Sequence, residues 1–400
     1  MSGTANRGGT GHARVVHVIT MLEWGGAQEN TLYSVEHLDP GRYDRVLVAG
    51  KGGMLDGRAH RIADLRVILL DDLVREVRPA CDAKAWVALR SILREEKRAA
   101  GGDPLVVHTH SSKAGILGRA AARAAGADAV VHSIHGFGFH DGQSKPAHTL
   151  FVGLERMASR WTDAFVAVSE ENIRTGERAG IFSRERCHLI RSGFDTAKFL
   201  AGTRESGRKI LGIPEGVPVV GTVAVFKPQK APLDFVETAR RVSAEIPGTR
   251  FVMVGDGELQ IATERAVGRA GLSDRFSFLG WSSEVPDLMA AFDVFLLTSR
   301  WEGLPKVVPQ ALIAGCPVVA TAVDGTREIV DPGVDGVLAA PGDVGALARG
   351  VADILSGRLR LDAARKRVRL LREFDQDEMV RAQDRLYAGI LAGKGFPGWS

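Results

Sequence analysis

Residues 299–315, SRWEGLPKVVPQALIAG, decide how the rest of the chain is interpreted. An apolar run at 294–297 precedes them and predicts a buried strand, and the pattern from Pro305 to residue 314 predicts a helix. Proline suits the first helical position because its missing N–H is not needed there. Backbone N–H groups of Gly303 and Leu304 at such a helix start would favour an anion such as a diphosphate.

The alternation of apolar strand and helix occurs in both halves of the chain. Strand-like runs lie at 14–21, 44–49, 66–70, 105–108, 129–132, 164–168, 217–225, 250–254, 276–279, 294–298 and 317–321. Strands that alternate with helices predict parallel sheets covered on both faces. We therefore expect an α/β protein of two doubly wound, Rossmann-like domains that face each other across a cleft.

The predicted organisation has four parts. They are a disordered tail at 1–13, a first domain at 14–200, a second domain at 201–374 and a final helical segment at 375–400 that crosses back to the first domain. A linker is expected around 196–217, where glycine, arginine and proline are frequent, and a long basic helix around 343–372. A length of 400 residues agrees with two domains, since single cores stop growing near ~250–300 residues.

Composition narrows the class of protein. The apolar share of 45% and charged share of 25% are ordinary for a soluble protein, and no apolar run approaches the ~20 residues of a membrane span. Three widely spaced cysteines, Cys81, Cys187 and Cys316, favour a reducing compartment and predict a cytoplasmic protein. A net charge of +4 is mild, and we expect no nucleic-acid partner.

The 299–315 segment resembles the E-G-x-P-x-x-x-x-E signature of the family 4 glycosyltransferases, which are retaining enzymes of the GT-B type. The resemblance spans about residues 14–390 and includes Gly25-Gly26, His108-Thr109-His110, His135-Gly136, Ser192-Gly193-Phe194-Asp195, Lys230, Gly255-Asp256-Gly257, Phe278-Leu279-Gly280 and Gly325. Several ordered motifs are more specific than any single one. The resemblance implies transfer of a hexose or N-acetylhexosamine from a nucleotide-diphosphate sugar, most often a UDP-sugar, to a lipid-linked glycan or a small molecule.

Three residues are predicted to take part in catalysis. Glu302 can accept hydrogen bonds from sugar hydroxyls, and Lys230 can stabilise the charge that develops on a leaving diphosphate. The resemblance implies that His135 contacts the donor sugar. No carboxylate is placed as a covalent nucleophile, and the resemblance implies that the acceptor hydroxyl attacks the same face from which the nucleotide leaves. Because no Asp-x-Asp motif lies beside a strand end, we expect catalysis without a metal ion, which the resemblance also implies, and without a cofactor.

A larger set is predicted to bind the donor. It comprises Gly25, Gly26, Lys227, Gly255, Gly257, Gly280, Trp281, Gly303, Leu304, Pro305 and Gln310. Two positions depart from the family pattern. Gln310 replaces the second glutamate, which binds the ribose in the family, and Val225 replaces an arginine whose charge Lys227 can supply.

The acceptor is expected near the end of the strand that carries His108 and His110, which we predict to face opposite sides. His110, Ser111 and Lys113 would line its pocket, together with Asp141. The segment 84–99, KAWVALRSILREEKRA, mixes apolar and basic residues. It fits either a helix packed on its own sheet or peripheral contact of the first domain with the inner face of an anionic membrane.

Two other functions stay open. A non-catalytic relative that only binds a nucleotide sugar is compatible with Gln310 and Val225. A GT-B sugar-nucleotide 2-epimerase shares the two-domain frame but would be expected to place several carboxylates in the cleft. A nicotinamide dehydrogenase is disfavoured, because no G-x-G-x-x-G motif follows the first strand and no acidic residue ends a second strand at the right spacing.

Overall fold

The computed structural model describes residues 11–139 and 143–399. They form two compact units. The first contains the chain up to Gly193 together with the C-terminal segment from Gln376, and the second contains Phe194–Asp375. The predicted tail lies mostly outside the described residues. Of its last members, Ala13 already begins a strand and the His12 ring bonds Asp103 at 2.8 Å.

The strands, numbered in chain order, occur in two groups. Those of the first unit are Ala13–Met21 (β1), Tyr43–Gly50 (β2), Leu65–Leu70 (β3), Leu105–His110 (β4), Ala129–Ile134 (β5), Ala164–Ala167 (β6) and Cys187–Leu189 (β7). Those of the second are Val219–Val223 (β8), Arg250–Val254 (β9), Phe276–Phe278 (β10), Val294–Leu297 (β11), Val318–Thr321 (β12) and Gly336–Ala339 (β13).

The α-helices lie between these strands and after the last one. They are Gly26–His37 (α1), Asp56–Ala59 (α2), Pro79–Ala99 (α3), Ser112–Ala125 (α4), Lys145–Ser159 (α5), Glu170–Arg178 (α6), Thr196–Ala201 (α7), Arg204–Leu211 (α8), Pro232–Glu245 (α9), Gln260–Arg269 (α10), Val285–Ala291 (α11), Val307–Ile313 (α12), Thr326–Ile329 (α13), Val344–Leu355 (α14), Arg367–Glu373 (α15) and Gln376–Gly393 (α16).

Both sheets are parallel and have the same winding. The first has the order β3-β2-β1-β4-β5-β6-β7 and the second β10-β9-β8-β11-β12-β13. In each, the chain starts in the middle, runs to one edge and returns to the other side of the first strand. Sheets of this kind bind ligands beyond the carboxyl ends of the two strands where the order reverses. Those strands are β1 and β4 in the first unit and β8 and β11 in the second.

The first unit has a core on each face of its sheet. Alternate residues of β1 point to opposite faces. Val15 packs with Tyr387 and Leu391 of α16 on one face, and Val16 packs with Leu89 of α3 on the other. The C-terminal helix α16 therefore covers β1, β4 and β5 of the first unit. In the second unit a core of residues from α9, α14 and the sheet includes Phe235, Phe251 and Val351.

Two predicted features differ from the structure. The expected linker at 196–217 contains α7 and α8, because Asp195 and Thr203 cap them and α8 packs closely on α11. A Cβ on Gly207 would lie 2.0 Å from Asp287 O. The second unit therefore begins at Phe194. The expected helix at 343–372 is wrong, because α14 ends before Gly357, whose positive φ of 73° breaks the helix, and α15 begins at Arg367.

Candidate active site

The strands β8 and β11 lie side by side at the reversal of strand order in the second sheet. A short 3₁₀ turn, Pro228–Lys230, follows β8, and the segment that contains Glu302 follows β11. Parallel strands end at the same edge of their sheet, so both loops lie at the place where doubly wound sheets bind ligands. The predicted catalytic residues Lys230 and Glu302 are therefore neighbours.

Lys230 and Glu302 form an ion pair. Lys230 Nζ donates to Glu302 Oε1, and the two side chains are only 17% and 6% exposed. Ser299 Oγ donates to the same carboxylate oxygen at 2.6 Å, and Gln229 Nε2 lies 3.5 Å from the other. A charge pair this shielded from water keeps more of its strength than a surface pair, and loss of either partner leaves a buried charge.

Hydrogen bonds with neighbouring segments hold the loop that carries Glu302 in place. The backbone N–H of Glu302 donates to Asp324 Oδ2 at 2.7 Å, and Thr321 Oγ1 donates to Ser299 O at 2.6 Å. Thr298 Oγ1 donates to Lys230 O at 2.9 Å and so joins the two loops. Sequence reasoning missed Ser299, Gln229 and Asp324. The available signal was that Ser299 and Asp324 are polar residues just beyond the buried strands β11 and β12.

The helix after Glu302 begins later than predicted. Its first residue is Val307, and Pro305 lies before it with its carbonyl accepting from Val308 N at 3.0 Å. Gly303 and Leu304 thus belong to an irregular turn. A Cβ on Gly325 would lie 2.7 Å from Gly303 O, so the glycine lets the two segments approach. Gln310 lies within α12 and is half-buried.

The predicted donor-binding glycines after β9 and β10 are of two kinds. A Cβ on Gly255 would lie 2.1 Å from Ala224 O, and one on Gly257 would lie 2.6 Å from Phe226 O. These two glycines let the loops after β8 and β9 pack together. Gly280 accepts from Gly255 N at 2.7 Å, has open space at its Cβ position, and precedes Trp281, which is 48% exposed.

The remaining donor-site predictions lie near strand ends. Lys227 is half-buried, and its carbonyl accepts from Lys230 N at 2.9 Å. In the first unit α1 begins at Gly26, with Gly25 at its N-cap position. The helix follows β1, one of the two strands at the reversal in that sheet. Trp24, just before the two glycines, is 39% exposed.

Several histidines lie at the reversal of strand order in the first unit, where β1 and β4 are neighbours. His17 on β1 is the register partner of His108 on β4, and His110 is the register partner of Ser133 on β5. The prediction that His108 and His110 face opposite sides is wrong, because residues two apart in a strand share a face. Their ring centroids are 4.3 Å apart. His135 follows β5 two residues after Ser133.

These side chains form a buried hydrogen-bonded series. His17 Nδ1 lies 2.9 Å from His110 Nε2, and His110 Nδ1 lies 3.3 Å from His135 Nε2. The Tyr387 hydroxyl lies 2.5 Å from His108 Nδ1 and 3.4 Å from His17 Nε2. Burial lowers the pKa of His17 to about 3 and holds the pKa values of His108 and His110 well below their usual range. Those three rings are neutral near pH 7.

The predicted acceptor residues have other partners. His110 is only 2% exposed, and its ring nitrogens bond His17 and His135. Ser111 Oγ lies 2.7 Å from Thr20 Oγ1. Lys113 Nζ pairs with Asp82 and donates to the Glu76 carbonyl. Asp141 lies outside the described residues.

Two further features belong to the first unit. The ring nitrogens of His17, His108 and His110 come within 4.8 Å of one another, a grouping compatible with a metal ion. A small recess with a volume of ≈ 10 Å³, about that of one water molecule, lies beside His110 and His135 and is lined in part by Ser34 and Gln383. Among the described residues, Ser34 Oγ and Gln383 Oε1 have no hydrogen-bond partner, so the recess suits ordered water.

The apolar stripe of the predicted membrane-contacting segment lies inside the protein. This segment is the major part of α3, whose Leu89 and Leu93 are fully buried, with Trp86 and Ile92 packed against the same core. Packing on its own sheet therefore accounts for the stripe. Within the described part of the chain, every helix is too short or too polar to cross a bilayer.

Sequence comparison agrees with this architecture. The description "Glycosyltransferase Family 4" matches residues 24–198, and "Glycosyl transferases group 1" matches residues 217–357. A UDP-Gal:alpha-D-GlcNAc-diphosphoundecaprenol alpha-1,3-galactosyltransferase of Escherichia coli is 29% identical over 95% of this chain and 98% of its own. A 2-deoxystreptamine N-acetyl-D-glucosaminyltransferase of Streptomyces fradiae is 37% identical over 63% of this chain and 62% of its own.

Solved structures share the fold. Anabaena HepE in complex with UDP and glucose superposes with a TM-score of 0.78 at 21% identity, over 94% of this chain and 100% of its own. Sucrose-phosphate synthase from Thermosynechococcus elongatus gives 0.79 at 21% identity, over 95% and 100%. The two family descriptions together account for more than three quarters of the residues. The chain belongs to the family 4 (group 1) glycosyltransferases and has the two Rossmann-like units of the GT-B fold.

Proposed function

We propose that this glycosyltransferase is a retaining, metal-independent enzyme that moves a hexose or N-acetylhexosamine from a UDP-sugar. The Lys230–Glu302 pair at the strand reversal of the second sheet carries the proposal. A shielded lysine beside a fixed carboxylate offers a cation for a diphosphate and an acceptor for hydroxyl groups. Exposed Trp281 offers a face on which a base can stack, and Gly280 leaves room for it.

Lys230 has two partners in the proposed reaction. Without donor, its ammonium is held by Glu302. When the donor binds, the diphosphate oxygens compete for the ammonium protons. Glu302, still held by Ser299 and Asp324, then accepts from the sugar hydroxyls. As the glycosidic bond breaks, negative charge grows on the diphosphate, and a fixed cation there lowers the barrier.

The proposed stereochemistry is retention. The acceptor hydroxyl attacks the anomeric carbon from the face that the nucleotide leaves, and the departing phosphate takes the hydroxyl proton. The protein positions the partners and stabilises charge instead of forming a covalent bond. His135 contributes a contact to the donor sugar. Gln310 replaces a carboxylate with an amide, which still accepts and also donates hydrogen bonds to a ribose.

Transfer chemistry provides the test. Purified protein is incubated with UDP-glucose, UDP-galactose and their N-acetyl forms in EDTA, with a polyprenyl-diphosphate-linked sugar or 2-deoxystreptamine as acceptor. An α-linked product from an α-linked donor, with release of UDP, supports the proposal. A 2-epimerised nucleotide sugar without acceptor would establish an epimerase, and tight binding without turnover would establish a non-catalytic relative.

The acceptor is proposed to be the hydroxyl of a lipid-linked glycan or of a small molecule, at or near the cytoplasmic face of a membrane. The relatives above include one named for each acceptor type. Three free cysteines are compatible with a reducing compartment. Any peripheral contact would use exposed basic residues of α3 such as Lys84, Arg94 and Arg98. Flotation with phosphatidylglycerol vesicles at low salt tests this, and no shift relative to neutral vesicles would reject it.

A further inference from the structure

A threonine at the end of β11 is bonded to the turn that carries Lys230. Thr298 is the first residue after β11, and its exposed fraction is only 3%. Its Oγ1 donates to Lys230 O at 2.9 Å and to Ala231 O at 3.0 Å. A hydroxyl has one proton, so the carbonyl oxygens of two consecutive residues share it. Catalysis as proposed above gives this contact no role.

The backbone of Ala231 brings the two carbonyls to the same hydroxyl. Ala231 has φ 46° and ψ 56°, a left-handed helical conformation. Successive peptide groups are aligned in a helical conformation, so both carbonyls can accept from Thr298. The left-handed form is unfavourable for alanine, because its Cβ crowds the following carbonyl oxygen. It persists only where surrounding contacts hold it, and Thr298 supplies two of these contacts.

Residues with a positive φ adjoin both members of the ion pair. Among the described residues, the non-glycine residues with a positive φ are Asp64, Ser111, Ala231 and Asp324. Ala231 directly follows Lys230 in the chain. Asp324, with φ 35°, accepts a hydrogen bond from the backbone N–H of Glu302 at 2.7 Å. Strained backbone of this kind is typical of sites that must keep one geometry, which indicates that the fold maintains the geometry of this pair.

Thr298 and its neighbour Ser299 act on different members of the pair. The Thr298 hydroxyl contacts the backbone of Lys230, whereas Ser299 Oγ donates to the Glu302 carboxylate at 2.6 Å. Lysine carries its ammonium group on a flexible four-carbon stem. The position of that charge therefore depends both on the backbone from which the stem starts and on the carboxylate that it meets. Thr298 fixes the first of these, and Ser299 fixes the second.

We propose that Thr298 is a positioning residue, which holds the backbone of Lys230 so that the ammonium group stays where the diphosphate of the donor binds. In this role Thr298 acts through Lys230. Binding of the diphosphate by Lys230 rests on the proposed function, whereas the contact that holds the turn does not. A cation that is already in place needs no reorganisation when the donor arrives, so loss of the Thr298 hydroxyl weakens both UDP binding and transfer.

A graded series of variants at this one position tests the proposal. In the full chain Thr298→Ser keeps a hydroxyl donor, Thr298→Cys leaves a weak donor and Thr298→Val leaves none. Titration calorimetry of UDP in EDTA measures the Kd of each. The serine variant is expected within about twofold of wild type and the valine variant roughly three- to tenfold weaker, the worth of one hydrogen bond, with the cysteine variant between them.

The order of the three affinities decides the outcome of this series. Equal values of Kd for the serine, cysteine and valine variants would overturn the proposal. If Thr298→Val does not fold, the comparison of Thr298→Ser with Thr298→Cys still decides, because equal affinity of those two would also overturn it. Rescue by serine is the result that a role limited to filling space would not produce, since valine matches the shape of threonine more closely than serine does.

A second background separates positioning from general destabilisation. In Lys230→Ala there is no ammonium group to position. Adding Thr298→Val there should change the Kd for UDP by no more than about twofold, because two residues that act through one interaction are not additive in a double-mutant cycle. A loss of the same size in both backgrounds would show that Thr298 acts on the fold and not on Lys230, and would overturn the proposal.

Thr249→Val is the matched control. Thr249 belongs to the same unit, is fully buried and donates to a backbone carbonyl, Ile246 O, at 2.8 Å. It precedes β9 and so lies at the opposite edge of the parallel sheet from the turn that carries Lys230. Its Kd for UDP should stay within about twofold of wild type. A loss as large as that of Thr298→Val would overturn the proposal, because any buried hydroxyl of this unit would then matter equally.

Amide exchange without ligand distinguishes this proposal from the proposed function. The Arg300 N–H donates to Gln229 O at 2.7 Å and so joins the loop after β11 to the turn after β8. Thr298→Val should speed exchange of the Arg300 amide by about threefold or more, and Thr298→Ser should not. Unchanged exchange in Thr298→Val would overturn the proposal. A wild type that binds no UDP would defeat the proposed function, and the exchange result would still decide whether Thr298 holds the turn.

Discussion

The two strand reversals of this chain have the same topology and different chemistry. In the second unit the loops after β8 and β11 hold a cation, Lys230, against a buried carboxylate, Glu302. In the first unit β1 and β4 hold neutral histidines whose ring nitrogens bond one another. One winding pattern thus supports both a charge site and an uncharged, hydrogen-bonded one. The side chains at the strand ends, not the sheet, decide what each unit can bind.

The largest expected effect comes from removing the cation of the Lys230–Glu302 pair. Lys230→Ala should lower kcat for a UDP-sugar by roughly 10²–10³, the loss seen when one group that stabilises transition-state charge is removed. It also leaves Glu302 buried without its cation, so the melting temperature should fall. Steady-state kinetics and thermal unfolding measure the two effects. A turnover within a factor of about three of wild type would remove Lys230 from the mechanism.

Packing between the loops that follow β8 and β9 gives the next effect. Gly255→Ala should cost about 3 kcal/mol, because its Cβ would lie 2.1 Å from Ala224 O at a φ of 120°. The matched control is Gly280→Ala, where the Cβ meets open space and only the left-handed φ of 63° costs about 1–2 kcal/mol. Urea unfolding compares them. Equal destabilisation would show that the loops do not pack as described.

Acid should destabilise the first unit more than the second. The pKa of His17 is about 3 when folded and near its usual value when unfolded, so the unfolded state takes up the proton first as pH falls below about 6.5. His17 is neutral in both states above that pH and has no effect there. Between pH 6.5 and 5 it should remove about 2 kcal/mol of stability. The lowered pKa values of His108, His110 and His132 act in the same direction.

All eleven histidines lie in residues 1–200, before the end of β7. Amide exchange measured at pH 7 and pH 5 should therefore show the first unit opening more easily in acid while the second changes little. His17→Leu should flatten the pH dependence of unfolding by close to one proton. A uniform response of both units would contradict the assignment of acid sensitivity to the buried histidines of the first unit.

The smallest expected effect is that of removing Lys113, which we compare with Lys230. Lys113 follows β4 as Lys230 follows β8, but it pairs with Asp82 and the Glu76 carbonyl near the start of α3. Lys113→Ala should leave the Kd for UDP within about twofold, because Lys113 belongs to the first unit and its ammonium is already paired with Asp82, and independent sites change each other's free energies by only about 0.5 kcal/mol. Titration calorimetry measures it. A tenfold loss would place the nucleotide against the first unit's lysine instead.

The sequence predicted the parts of this structure that depend on local pattern. Apolar runs located most strands of both sheets, and the motif at 299–315 located Glu302 next to a strand end. The short edge strands β7 and β13 were missed, since runs of three or four residues such as Cys187–Leu189 carry little periodic signal. Helix starts were shifted, as at Val307, because proline marks a boundary only to within a few residues.

Contacts between distant residues could not be predicted. Nothing local links Asp324 to the backbone of Glu302, or Tyr387 to His17 and His108. The histidine cluster follows from parallel register, which pairs His17 with His108, and from the two-residue period of a strand. Misapplying that period placed His108 and His110 on opposite faces.

The central claim is that the second unit binds the nucleotide diphosphate through Lys230. Titration calorimetry of UDP into the wild type and Lys230→Ala, both in EDTA, tests it most directly. The account predicts metal-independent binding that weakens roughly 10- to 100-fold in the variant, the value of one charge-assisted hydrogen bond. Equal affinity of the two proteins, or binding that appears only when magnesium is added, would contradict it.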